Sequence, residues 1–287
     1  MSQTDAVFAG SIPAFYDRYL GPLLFEPYAR DLAGRLANIA QGRVLETAAG
    51  TGILTRTLVR TLPEAVAIVA TDLNQPMIDF AAAQPGGGRV TWRQADALSL
   101  PFEEESFDAV ACQFGVMFFP DKRAAYREAR RVLKPGGRFV FSVWDRLAEN
   151  ELSQIVSETV AALFSEDPPR FLDRTPYAYY NIATIRNELA EAGFSSVAGE
   201  TVRQFSRAQS AREAVIGLCE GSPLRNEIEA RDPTRLAAAT DTAASAVAAR
   251  FGPGRSPRKC RRMWSLPRFD AGSSLGQDPR QRPRFRR

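Results

Sequence analysis

The stretch VLETAAGTG, residues 44–52, decides how the rest of the chain is read. Two apolar residues lead into a carboxylate at Glu46, and a run of small residues then opens a segment with helical periodicity at residues 53–61. A turn built from Ala48, Gly50 and Gly52 lets the backbone approach a ligand closely, and the free N–H groups of the helix start add polar contacts. In open parallel sheets, ligands bind just beyond the carboxyl ends of the strands, near the point where the strand order reverses.

Outward from this turn, short apolar runs without strict alternation recur at residues 67–72, 90–96, 109–114 and 138–144, separated by helical patterns at 76–83 and 122–133. Strands of that kind are buried on both faces, so the spacing predicts an α/β fold with a doubly wound, mostly parallel, Rossmann-like sheet. The first forty residues read as helical with interruptions at Pro22 and Pro27, and the Lys134-Pro135-Gly136-Gly137 run reads as a structural turn before a strand. Beyond Asp145, helices are expected over 151–164, 184–192, 211–219 and 233–251, and a strand over 194–205. Residues 1–251 are expected to form one domain with a motif core at 40–145, and the region from about 148 to 183 to form a mobile cover on one side of it.

Two further carboxylates follow the same logic as Glu46. Asp72, in IVATDLNQP, ends the next strand 20 residues beyond Gly52, where a ribose diol is commonly held. Asp96, in VTWRQADALSLPF, ends the strand after that. A strand-terminal acid is often only a helix cap, but three at successive strand ends line one crevice. The GxGxxG fingerprint of a dehydrogenase fails at Ala48, and no GxxxxGK[ST] phosphate loop occurs.

Composition removes other chemistries. The 287 residues contain no histidine, which excludes Ser-His-Asp and Cys-His catalysis and histidine-based zinc sites. Cys112, Cys219 and Cys260 are odd in number and far apart, so neither a disulfide framework nor a CxxC metal site is expected, and no metal is assigned. No apolar run reaches the length of a membrane span and no leader pattern opens the chain, so a cytoplasmic location is expected. The net charge of +4 conceals an asymmetry: residues 252–287 carry 11 Lys/Arg against two acids, while the body is net acidic.

Taken together, VLETAAGTG, TDLNQPMID, QADALSLPF, FDAVACQFGVMFFPD and RVLKPGGRFVFSVWD resemble the ordered motif series of class I S-adenosylmethionine (SAM)-dependent methyltransferases, in particular the ubiquinone/menaquinone-biosynthesis C-methyltransferases. The flanks FYDRYLGPLLFEPYARDL and RTPYAYYNIATIRNELAEAGF resemble the same branch. The resemblance implies SAM as cofactor and a small-molecule methyl acceptor, with the acceptor atom open among carbon, oxygen and nitrogen. It implies that Glu46 orders the loop, that Ala48, Gly50 and Gly52 pack on the methionine part, and that Asp72 takes both ribose hydroxyls. Leu73 would lie on the adenine, Asp96 and the Ala97 N–H would meet its polar edge, and Gln113 would face the methionine moiety. Met77 is assigned to the core. Ala48 replaces the usual first glycine of the loop and is expected to keep a negative φ.

SAM chemistry needs alignment more than a dedicated base. If a base is used, the candidates are Tyr16, Tyr19, Tyr177, Tyr179 and Tyr180, whose alternative role is an aromatic lid. Phe114, Met117, Phe118, Phe119 and Trp144 suit either an apolar acceptor or a core. The alternative function is modification or binding of nucleic acid through the basic tail, whose Trp264, Phe269 and Phe285 are compatible with base stacking. The tail 252–287 has no valine or isoleucine and is expected to be disordered, leaving the sheet without the last antiparallel strand of this fold. Written back as codons and read from the third base, residues 259–267 give the strand-like Met-Gln-Ala-His-Val-Val-Ser-Ala, so a shifted reading frame is the expected origin of the tail.

Overall fold

The computed structural model describes residue 8 and residues 10–206, 208–252 and 262–272. Seven strands form one sheet: β1 (Gly42–Glu46), β2 (Val66–Asp72), β3 (Val90–Gln94), β4 (Phe107–Gln113), β5 (Leu133–Ser142), β6 (Ser196–Ser206) and β7 (Arg262–Gly272). Their spatial order is β3-β2-β1-β4-β5-β7-β6. The first five are parallel, and β7 runs antiparallel to both β5 and β6. Val44, Leu45, Ile68, Ala70, Val110, Ala111, Val140 and Phe141 are buried, as strands covered on both faces require. The order reverses between β1 and β4, so their carboxyl ends open the crevice predicted for this fold.

The crossover helices are α3 (Ile53–Thr61), α4 (Gln75–Ala82) and α5 (Lys122–Val132). Before them come α1 (Ile12–Phe15), a π-helical stretch Tyr16–Phe25 and α2 (Glu26–Leu36). Pro27 stands in the first turn of α2, where a missing N–H costs nothing, and Pro22 falls inside the widened π turn. The later helices are α6 (Glu151–Leu163), α7 (Phe171–Arg174), α8 (Ile182–Glu191), α9 (Ala211–Glu220), α10 (Leu224–Arg231) and α11 (Leu236–Phe251). α11 packs against α6 and α9. Among the described residues no helix is long and apolar enough to cross a membrane.

The Lys134–Gly137 run loops out of β5: Phe107 pairs with Leu133 and Ala109 with Arg138, so the four residues between stand opposite Asp108 alone. Lys134 Nζ binds both Asp108 carboxylate oxygens at 2.9 Å.

The expected absence of the last antiparallel strand is corrected by the structure. Arg262–Gly272 pairs with β6 along its whole length and with β5 through Arg268–Gly272. Two strands that each leave a backbone ladder open create a slot that is filled by main-chain hydrogen bonding, for which valine and isoleucine are helpful but not required. Pro267, which cannot donate, lies outside the stretch paired with β5. The shifted-frame reading loses its premise, that no strand follows α11. Residues 253–261 and 273–287, on which the rest of the disordered-tail expectation falls, lie outside the described residues.

Candidate active site

At the end of β1, the Glu46 side chain is 1% exposed and accepts from Thr55 Oγ1 at 2.6 Å. Burial pushes its carboxyl up to about 8; the Thr55 bond opposes this, and the nearby Asp72 adds to it. Asp72, at the end of β2, accepts from the Gly50 N–H and the Asn74 N–H, each at 2.8 Å. Burial raises its pKa as well, against the pull of those donors. The strand-end acid thus grips the small-residue loop of the neighbouring strand, and a single side chain ties the two ends into one cleft.

That cleft encloses about 840 Å³ of space, open solvent at its mouth included. Ala48, Gly50, Asp72, Leu73, Asp96, Ala97 and Gln113 all line it. Glu46 lines its inner extension, together with Ala48, Gly50, Thr51 and Gln113. Leu73 is 53% exposed at the rim, where an apolar side chain has no packing reason to be. Met77 is buried and still contributes to the wall, so core and contact are not exclusive there. Asp96 is exposed and its Oδ1 takes the Leu98 N–H at 2.9 Å, which shapes the turn beside the cleft.

One loop expectation is corrected. Ala48 has φ +52, not a negative value. Its methyl group explains Gly115: a Cβ on that residue would lie 2.5 Å from Ala48 Cβ and 2.7 Å from Cys112 Sγ. Gly52 does not line the cleft. It stands at φ +79 before α3, and a Cβ there would lie 3.0 Å from Trp92 and 3.1 Å from Ala81, so it serves the turn and helix–sheet packing.

Of the tyrosines, only Tyr16 reaches the centre. It lines the cleft, its inner extension and a second chamber of about 470 Å³, open solvent at its mouth included. Its ring stacks on Phe25 at 4.7 Å, and burial, followed by the charges of Asp72 and Asp17, raises its pKa far above an ordinary phenol. Tyr177 lies in the wall of the second chamber with its hydroxyl bound to Ser153 Oγ at 2.7 Å. Tyr180 lies elsewhere, in a polar surface cleft beside Arg146, Glu149 and Arg203. Tyr179 bonds to Tyr126 and Glu188, and Tyr19 packs on Phe15 and Arg18. A run of tyrosines in sequence therefore does not form one cluster.

The second chamber shares Phe8, Tyr16, Phe114 and Phe118 with the cleft, and among the described residues none that lines it is charged. Trp144 stacks on Phe114 at 3.9 Å. Phe114 itself has φ +54, a strained setting for a bulky residue that turns it off the end of β4 into the wall between the two spaces. No sequence signal announces such a backbone angle. Met117 and Phe119 are buried.

A family model described as methyltransferase domain matches residues 45–141. The demethylmenaquinone methyltransferase of Clavibacter sepedonicus is 30% identical over 178 residues, 56% of this chain and 69% of that protein. The chain belongs to the class I SAM-dependent methyltransferases and resembles this relative among them. The ubiquinone/menaquinone biosynthesis C-methyltransferase of Geobacter sulfurreducens is 40% identical over 103 residues, 34% of this chain and 40% of that protein. Among solved structures, the SAM complex of phosphoethanolamine N-methyltransferase 2 from Haemonchus contortus has the same fold, with a TM-score of 0.57 at 20% identity over 91% of this chain and 56% of that one.

The methyltransferase uses SAM, and its cleft fits that cofactor in one respect that packing does not explain. Gln113 Nε2 donates to the Phe25 carbonyl at 2.8 Å, but Gln113 Oε1 and Thr51 Oγ1 are buried with no hydrogen-bond partner. Both residues line the inner extension, where an amino acid moiety would satisfy an acceptor and a hydroxyl. Among the described residues no group of three or more His, Cys, Asp or Glu side chains could hold a metal ion.

Proposed function

We propose that this methyltransferase places the methyl group on a ring carbon of a small apolar hydroquinone. The observation that carries the reading is the uncharged aromatic chamber that meets the cofactor cleft at Tyr16 and Phe114. In this reading Asp72 takes the ribose hydroxyls, Leu73 covers the adenine, Asp96 and the Ala97 N–H meet its edge, and Glu46, Thr51 and Gln113 surround the methionine end.

SAM supplies a methyl group already made electrophilic by its sulfonium, so the chain's task is alignment. Phe118, Trp144 and Phe171 exclude water and hold an aromatic ring. Tyr16 keeps its proton at neutral pH and acts as a donor and a wall instead of a base. Tyr177 is committed to Ser153. With no carboxylate, lysine or arginine lining the chamber among the described residues, the acceptor must supply its own nucleophilicity. A hydroquinone that enters already ionised at one hydroxyl does so, because the oxyanion activates the adjacent ring carbon, and the hydrogen of that carbon returns to the oxygen as the ring regains aromaticity. Nothing in this uncharged chamber favours the nucleic-acid alternative, since phosphate recognition depends on Lys and Arg.

The test is methyl transfer from SAM carrying a carbon-13 methyl group to a panel of a short-chain hydroquinone, a catechol and a primary amine. A carbon-bound methyl on the hydroquinone, identified by NMR, is the expected result. Transfer only to oxygen or nitrogen overturns the reading.

A further inference from the structure

The outer wall of the aromatic chamber depends on α7, which contributes Phe171 and Leu172 and, at four residues, is too short to hold itself together. Its start is secured from another element. Glu227, buried on α10, accepts from the Arg170 N–H at 2.7 Å and the Phe171 N–H at 2.9 Å, and it pairs with Arg174 Nη2 at 2.6 Å. One turn further along the same face of α10, Arg231 donates to the Asp167 carbonyl and pairs with its carboxylate at 3.0 Å. The residues leading into α10, Ser222 and Pro223, line the chamber themselves. α10 therefore forms part of the wall and grips another part.

We propose that Glu227 is a positioning residue for the methyl acceptor: with Arg231 it clasps residues 167–174 so that Phe171 and Leu172 close the chamber. This rests on the reading of that chamber as the acceptor site. A buried carboxylate satisfied by two backbone N–H groups and a guanidinium fixes the angle at which α7 presents its apolar side chains, which hydrophobic contact alone would leave free.

The test separates the two spaces by separate probes. Trp144 lines the chamber, so its fluorescence, in a Trp92→Phe/Trp264→Phe background, reports binding of menadione by quenching. S-adenosylhomocysteine (SAH) measured by calorimetry reports the cofactor cleft. For Glu227→Gln we expect menadione affinity to fall about tenfold while SAH affinity stays within about twofold, as loss of one charge-assisted bond remote from the cleft implies. Glu227→Asp should recover part of the loss. If Glu227→Gln does not fold, Arg231→Gln, which loosens the same segment from its exposed side, takes its place with the same expectation. Unchanged menadione affinity, or SAH affinity falling in parallel, overturns the clasp. If the Trp92→Phe/Trp264→Phe parent itself fails to bind menadione, the acceptor reading falls first and the clasp falls with it.

Discussion

Glu46 is the residue whose chemistry is most altered by its position. Its carboxyl, raised to about 8 by burial, stays protonated in the folded chain through neutral pH, whereas in the unfolded chain it ionises near its ordinary value of about 4.5. The folded state therefore holds more protons between those two values, and the Glu46 contribution to stability, fully present below about 4.5, is lost as pH rises towards about 8. Denaturant unfolding of Glu46→Gln at pH 5 and pH 8 checks this: the variant should gain stability relative to the parent as pH rises, and a pH-independent difference would speak against it. Ala48 and Gly115 make a second case. A methyl group in the left-handed region costs about 1–2 kcal/mol, and here it occupies the space that Gly115 leaves. Gly115→Ala should destabilise by about 1–3 kcal/mol through overpacking, and adding Ala48→Gly should recover part of that. Strict additivity in thermal unfolding would show that the two positions are not coupled.

At the scale of elements, the region 148–183 is less uniform than a single lid. α6 buries Leu152, Val156 and Val160 and packs on α11, as core helices do. The chamber wall lies further on, at Phe171, Leu172, Pro176 and Tyr177, and it is tied back to α6 by the Tyr177–Ser153 bond. Tyr177→Phe leaves the Ser153 hydroxyl buried without its partner and should cost about 1–2 kcal/mol of stability. SAH affinity should be unchanged, because neither residue lines the cofactor cleft. A variant as stable as the parent would show that the tie is not used. α10 was hard to see in the sequence: LRNEIEAR offers only Leu224 and Ile228 as an apolar pair, and its role at the chamber comes through Glu227 and Arg231, which reach Phe171 and Asp167 more than 50 residues away.

Across the whole molecule, what the sequence disclosed and what it hid divide along a physical line. The parallel strands were legible because burial on both faces leaves apolar runs, and Glu46, Asp72 and Gln113 were legible because strand ends in this topology face one crevice. The sign of φ at Ala48 and Phe114, the packing role of Gly52 and the outward placement of Tyr180 depend on backbone angles and rotations that residue type does not encode. β7 was hidden because its partners, not its composition, make it a strand. What all these parts converge on is the bond from the Gly50 N–H to Asp72, which joins the ends of β1 and β2 at the crevice proposed to hold the cofactor. Calorimetric titration of SAH into Asp72→Ala, with folding verified by thermal unfolding, tests that convergence most directly. Affinity weakened by about 2 kcal/mol, roughly thirtyfold, in a folded variant is expected; affinity equal to that of the parent would contradict the role given to Asp72.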